Sequence, residues 1–281
     1  MAMIKPRSVM GAVFACFVLL TFELNSAQAK DECGAQLAEV IANAYPHAGK
    51  VSDTQLTADG MTLFLPGQHA NGETERYNSI CRIWPAHPDR LLVAVPLIAD
   101  ISASVVTGHL EILVMHASTL QAEQRLLLRN EIEDDAFKIT SIAFDTARYR
   151  LKPTLLAFGL RVAKAGSSQV NPFSETALSL FVIEGDRVRR ISDTVVVERK
   201  QGEWNGTCDG SFKTTTRLLA MGDNASQGLA DIRITEAVSV TQYTANGRAE
   251  CSEQTQDKPT RSFNLTFDGT RYVVPDELRP L

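Results

Sequence analysis

The sequence predicts an all-β fold with one N-terminal helix, arranged as a sandwich or as a small propeller-like architecture. Short apolar or alternating stretches recur along most of the chain at roughly ten-residue spacing, the habit of a sandwich, barrel or propeller. Turn chemistry separates some of them directly. Glu184-Gly185-Asp186 and Asp268-Gly269 each lie between two such stretches, and a glycine there supplies the positive φ of a tight hairpin. Helical periodicity is strongest at 34–44. Leu37, Val40, Ile41 and Ala44 repeat at the i, i+3, i+4, i+7 spacing of one buried face, and Tyr45-Pro46 stops the run.

The strands follow in order. Residues 91–97, Leu-Leu-Val-Ala-Val-Pro-Leu, form a continuous apolar run that fits a strand buried on both faces. At 109–115, Leu110, Ile112 and Val114 share one side. Residues 138–144 alternate, and 155–163 and 177–183 continue the pattern. The stretch 187–191 completes the hairpin at Gly185, and 194–198, 232–240, 263–267 and 271–274 finish the set. The acidic run 131–135 reads as a solvated loop. Residues 30–281 read as one β-rich domain. Its best internal breaker, Gly166-Ser167-Ser168 to Asn171-Pro172, suits a long hairpin loop or a sub-boundary near 166–175.

Composition is that of an ordinary globular chain, 281 residues with 44% hydrophobic and 22% charged. Lys plus Arg is 28 against 33 Asp plus Glu, a net charge of -5, so the basic excess that nucleic-acid binding requires is missing. The first residues form an address. Lys5 and Arg7 precede an apolar run at 9–22, and a small polar segment ends in Ala27-Gln28-Ala29. This is a tripartite export signal, 1–29, cleaved after Ala29, and its apolar core falls short of a membrane span. Lipidation at Cys16 is disfavoured by the bulky Phe14. The expected destination is the periplasm, with no stable membrane span.

Past the cleavage point Cys33, Cys81, Cys208 and Cys251 remain, and an even set in an oxidising compartment reads as disulfides. Three pairings are possible. Cys33–Cys81 with Cys208–Cys251 is favoured, because each pair is the nearer in sequence. Loop entropy gives each about 4 kcal/mol. No C-x-x-C occurs, which argues against a redox or zinc role.

Gly228-Leu229-Ala230-Asp231-Ile232-Arg233-Ile234 and Gly108-His109-Leu110-Glu111-Ile112-Leu113-Val114 share a short pattern, and Asp223 and Asn224 precede the first. This resembles the calcium loop of FG-GAP repeats, the integrin-type propeller blades. Asp223, Gly228 and Asp231 fit that motif, while Ala225 and Gln227 stand where the family has ligands. The resemblance implies a degenerate propeller of about five blades that recognises glycans or peptides, with cation binding impaired by the missing donors. Ala157-Phe158-Gly159-Leu160-Arg161 and Gly202-Glu203-Trp204 also resemble segments of uncharacterised exported proteobacterial proteins, which implies no activity.

Well-marked catalytic signatures are missing: no G-x-S-x-G, S-x-x-K, H-E-x-x-H, G-x-G-x-x-G or Walker loop occurs. His47, His69, His87, His109 and His116 all fall early in the chain, and His109 and His116 point to opposite faces of one strand. A hydrolase centre assembled from His69, His87 and Asp89 is the enzymatic alternative. Trp204, in the Gly-bounded segment Gly202 to Gly206, can either present an aromatic platform or pack beneath the Cys208 bridge. The favoured expectation is a periplasmic, non-catalytic binding or scaffold protein without cofactor or metal, whose partner is an envelope protein or a glycan. Trp204, Asp223 and Asp231 are its candidate surface residues.

Overall fold

The computed structural model describes residues 33–67, 72–102, 104–246 and 250–281. The export segment 1–29 and His69 lie outside them. A 3-10 turn (Gly34–Gln36) leads into helix α1 (Leu37–Ala44). The next strands are β1 (Gly49–Lys50), β2 (Gln55–Ala58), β3 (Met61–Phe64), β4 (Ile80–Trp84), β5 (His87–Ile101), β6 (Val106–His116) and β7 (Ala122–Asp134). They form one antiparallel sheet ordered β1-β2-β3-β5-β6-β7, with β4 also paired to β5.

The second sheet holds β8 (Phe137–Lys152), β9 (Leu155–Gly166), β10 (Phe173–Glu184), β11 (Arg187–Arg190), β12 (Val195–Trp204), β13 (Gly210–Ser226), β14 (Leu229–Ala245), β15 (Cys251–Asp257) and β16 (Arg261–Leu265). Its order is β15-β14-β13-β12-β10-β9-β8, with β11 on β10 and β16 on β14. Two antiparallel sheets, not closed into a barrel, make a sandwich-like all-β fold rather than a ring of four-stranded blades.

Three apolar layers explain the sequence pattern. Leu92 and Ala94 of β5, with Ile112 and Val114 of β6, face Phe158 and Phe181 of the second sheet. Leu91, Val93 and Val95, on the other side of β5, pack with Leu37, Val40 and Ile41 of α1. A strand between two layers is apolar on both faces, so 91–97 shows no alternation. The same holds for β10, whose Phe181 enters the first layer while Leu178, Leu180 and Val182 enter a third. That third layer forms because the second sheet curls until β13 and β14 approach β8, enclosing Ile232, Ile234, Leu265 and Tyr272.

Several expectations need correction. The acidic run is not a solvated loop: it lies on β7 up to Asp134, with Ile132 and Asp134 each 1% exposed. The Tyr77 hydroxyl and the Ile139 amide both donate to Asp134 Oδ2, at 2.6 and 2.7 Å, which satisfies that one oxygen of the buried carboxylate. Residues 271–274 form no strand, only bridges through Tyr272. Strands β1–β4, β7, β13 and β15 carry little apolar alternation and escaped the sequence pattern. Across 167–172, β9 and β10 pair directly as a hairpin.

Candidate functional site

Beyond the sandwich the second sheet continues as a single layer. No residue of 198–204, 210–214, 237–245 or 251–257 is buried, so the outer parts of β12, β13, β14 and β15 form an arm without a core beneath it. Ladder hydrogen bonds and specific side-chain contacts must hold such a sheet.

At its base Arg217 and Glu236, on β13 and β14, form an ion pair with side chains 7% and 5% exposed, and Arg217 Nη1 donates to the Val196 carbonyl at 2.8 Å. Arg199 pairs with Glu175 and also donates to the Arg279 carbonyl. At its tip the Cys208–Cys251 disulfide ties the β12–β13 turn to β15. The Asn205 side-chain oxygen accepts the Thr207 and Asp209 amides, and Asp209 Oδ1 accepts the Ala245 amide.

Between base and tip lies an aromatic cluster. Register aligns Trp204, Gly210, Tyr243 and Glu253 in one row and Gly202, Phe212, Thr241 and Thr255 in the next on the same face. The Trp204 ring lies over Gly210 and the Phe212 ring over Gly202, each filling the space of an absent side chain. Tyr243 meets both edge-on, 5.8 Å from Trp204 and 5.6 Å from Phe212. The rings are half-buried, and Thr241 and Thr255 share a hydroxyl hydrogen bond of 2.9 Å beside them. Local desolvation and the nearby Glu253 raise the Tyr243 phenol above its ordinary 10.0, so it stays a neutral hydroxyl at pH 7. The face offers apolar rings rimmed by hydroxyls.

Of the candidate surface residues, Trp204 belongs to this cluster. Asp223 and Asp231 do not, lying at the opposite end of the β13–β14 ribbon. There Gln227 (φ 49°) and Gly228 (φ 83°) form a two-residue hairpin turn of type I′, and Asp223 sits on a bulge opposite Asp231. Asp231 is buried, and its carboxylate helps raise the Tyr272 phenol after desolvation, the larger cause.

His87 opens β5 and packs on Trp84 at 4.5 Å between ring centroids, while Asp89 is exposed two residues along. His109 Nδ1 accepts the amide of Asn130, a positive-φ residue in a bulge of β7, so this histidine serves the backbone. Among the described residues no group of three or more His, Cys, Asp or Glu is placed to hold a metal ion. No described helix is long and apolar enough to cross a membrane.

Phe212 and Tyr243 were missed in the sequence. A signal for the first existed: Gly202-x-Trp204 and Gly210-x-Phe212 repeat a Gly-x-aromatic spacing, and an antiparallel hairpin sets each ring over the other strand's glycine. No family model, no curated protein and no solved structure matches this chain.

Proposed function

We propose that the chain is exported to the periplasm, loses its leader after Ala29, and acts there as a non-catalytic binding protein that holds a glycan on the aromatic face of its arm. The single observation behind this reading is the half-exposed Trp204–Phe212–Tyr243 cluster on a coreless sheet, braced at both ends. A sugar ring has an apolar C–H face and a rim of hydroxyls. Aromatic rings beside Thr241 and Thr255 match both, and the Tyr243 hydroxyl, which donates to Glu253, adds an acceptor. The two disulfides support an oxidising destination.

Fluorescence provides a direct test, because the chain's other tryptophan, Trp84, is 2% exposed. Titration with neutral β-linked hexasaccharides of glucose and of N-acetylglucosamine should perturb Trp204 emission saturably, and Trp204→Ala should abolish the response. Silence with every saccharide would refute the glycan reading. Amino-terminal sequencing of protein recovered from the periplasm should begin at Lys30.

A further inference from the structure

Strand β15 ends the second sheet, and all its residues are exposed. The Lys258 amide donates to the Val238 carbonyl at 2.8 Å, and the Asn246 amide donates to the Glu250 carbonyl at 3.1 Å. Even-numbered residues from 250 to 258 therefore turn their main-chain groups toward β14. Cys251, Glu253, Thr255 and Asp257 turn theirs outward, away from the sheet. An open edge of this length is a template for another strand. What fits it is decided by its charges.

We propose that the occupant is β15 of a second copy, paired antiparallel about a two-fold axis at Gln254, so that the two arms become one continuous sheet. Hydrogen bonding requires outward residues to face outward residues, which restricts the register to steps of two. Centring on Glu253 sets the two Glu253 carboxylates directly opposite one another. Centring on Thr255 sets Glu253 against Asp257. Like charges facing across strands repel in both cases.

The register centred on Gln254 has neither conflict. It places Glu253 opposite Thr255 of the partner subunit and Cys251 opposite Asp257 of the partner subunit, each pair exchanging both of its N–H···O bonds. It also places Glu250 opposite Lys258 of the partner subunit, twice by symmetry, in the row where side chains approach closest. Antiparallel pairing about this axis keeps both aromatic clusters on the same side of the joined sheet. The dimer does not depend on those clusters binding anything.

Sedimentation velocity on the purified, oxidised protein from about 1 to about 500 μM tests the proposal, a range suited to an interface below standard size. Dimer should accumulate with concentration. Lys258→Glu should raise the dissociation constant about tenfold or more, and Glu250→Lys combined with Lys258→Glu should restore it to within about threefold. Thr255→Pro removes an outward amide while leaving the β14 ladder whole, and should give monomer throughout. Should that variant fail to fold by circular dichroism, the charge swap decides alone. A wild-type protein that stays monomeric throughout, a dimer indifferent to Thr255→Pro, or a failed charge rescue would each overturn the proposal.

Discussion

The Trp204 ring lies so closely over Gly210 that a β-carbon on the glycine would come within 2.5 Å of the indole Cε3 and 2.6 Å of the Glu203 carbonyl oxygen. The ring could swing away, but the carbonyl is backbone and cannot. Gly210→Ala should therefore expel Trp204 and cost about 1–3 kcal/mol locally. Trp204 emission should move to the red, the Trp84 signal should persist, and amide exchange should quicken in 199–215 but not in β5 or β6. Unchanged emission would show that the ring does not rest there.

Arg217 and Glu236 make a different prediction at the arm's base. Both are desolvated, and Arg261 reaches Glu236 only at 3.5 Å. Arg217→Met strands a buried carboxylate and should destabilise the protein by about 3–5 kcal/mol in urea titration. Arg217→Met combined with Glu236→Leu should recover most of that loss, because the burial penalty belongs to the lone charge. Equal losses in the single and double variants would contradict this.

Alkaline pH should weaken the body of the fold. Tyr45 donates to Glu111, beneath Arg125, and Tyr149 donates to Asp145, itself paired to Arg161. Burial first, then the carboxylate partner, raises both phenols well above their ordinary 10.0. A phenol that holds its proton more tightly when folded stabilises fully below the unfolded value of 10, and that contribution fades as pH climbs beyond it. Urea midpoints should accordingly drop between pH 9 and about pH 11. Tyr45→Phe together with Tyr149→Phe should reduce the drop, leaving the share that belongs to the raised Tyr272 phenol, while lowering stability at pH 7.

The two disulfides should differ in their response to reductant. Cys33 and Cys81 are 7% and 2% exposed beneath α1, whereas Cys251 lies exposed at the arm tip. Thiolate attack needs access, so mild dithiothreitol should open Cys208–Cys251 first. Alkylation and peptide mapping would identify the order. Tyr243 and Trp204 should lose protection at that stage while α1 keeps its own.

Strands that present a long apolar run to a core were legible in the sequence, whereas β3, β4 and β7, which give the core only a few residues each, were not. The runs at 91–97, 155–163 and 177–183 were visible because sandwich burial demands apolar side chains on one face or both. The arm was nearly silent. With no core beneath them, β13 and β15 are free to be Thr-, Ser- and Gln-rich, and polar strands carry no periodic signature. Asp134 misled for the opposite reason: its burial depends on Tyr77, a residue far away in sequence.

By itself the sequence determined what local chemistry and spacing control: the helix at α1, the hairpin at Gly185, the strand class and an even cysteine set, whereas the favoured one of its three possible pairings was fixed only by the fold. Tertiary structure alone decided which strands neighbour which, that the second sheet curls and then runs on as an arm, and that Phe212 and Tyr243 join Trp204. Those outcomes rest on strand registers between residues up to dozens of positions apart. Ladder hydrogen bonds are chemically alike at every step, so the register becomes legible only once side chains have packed.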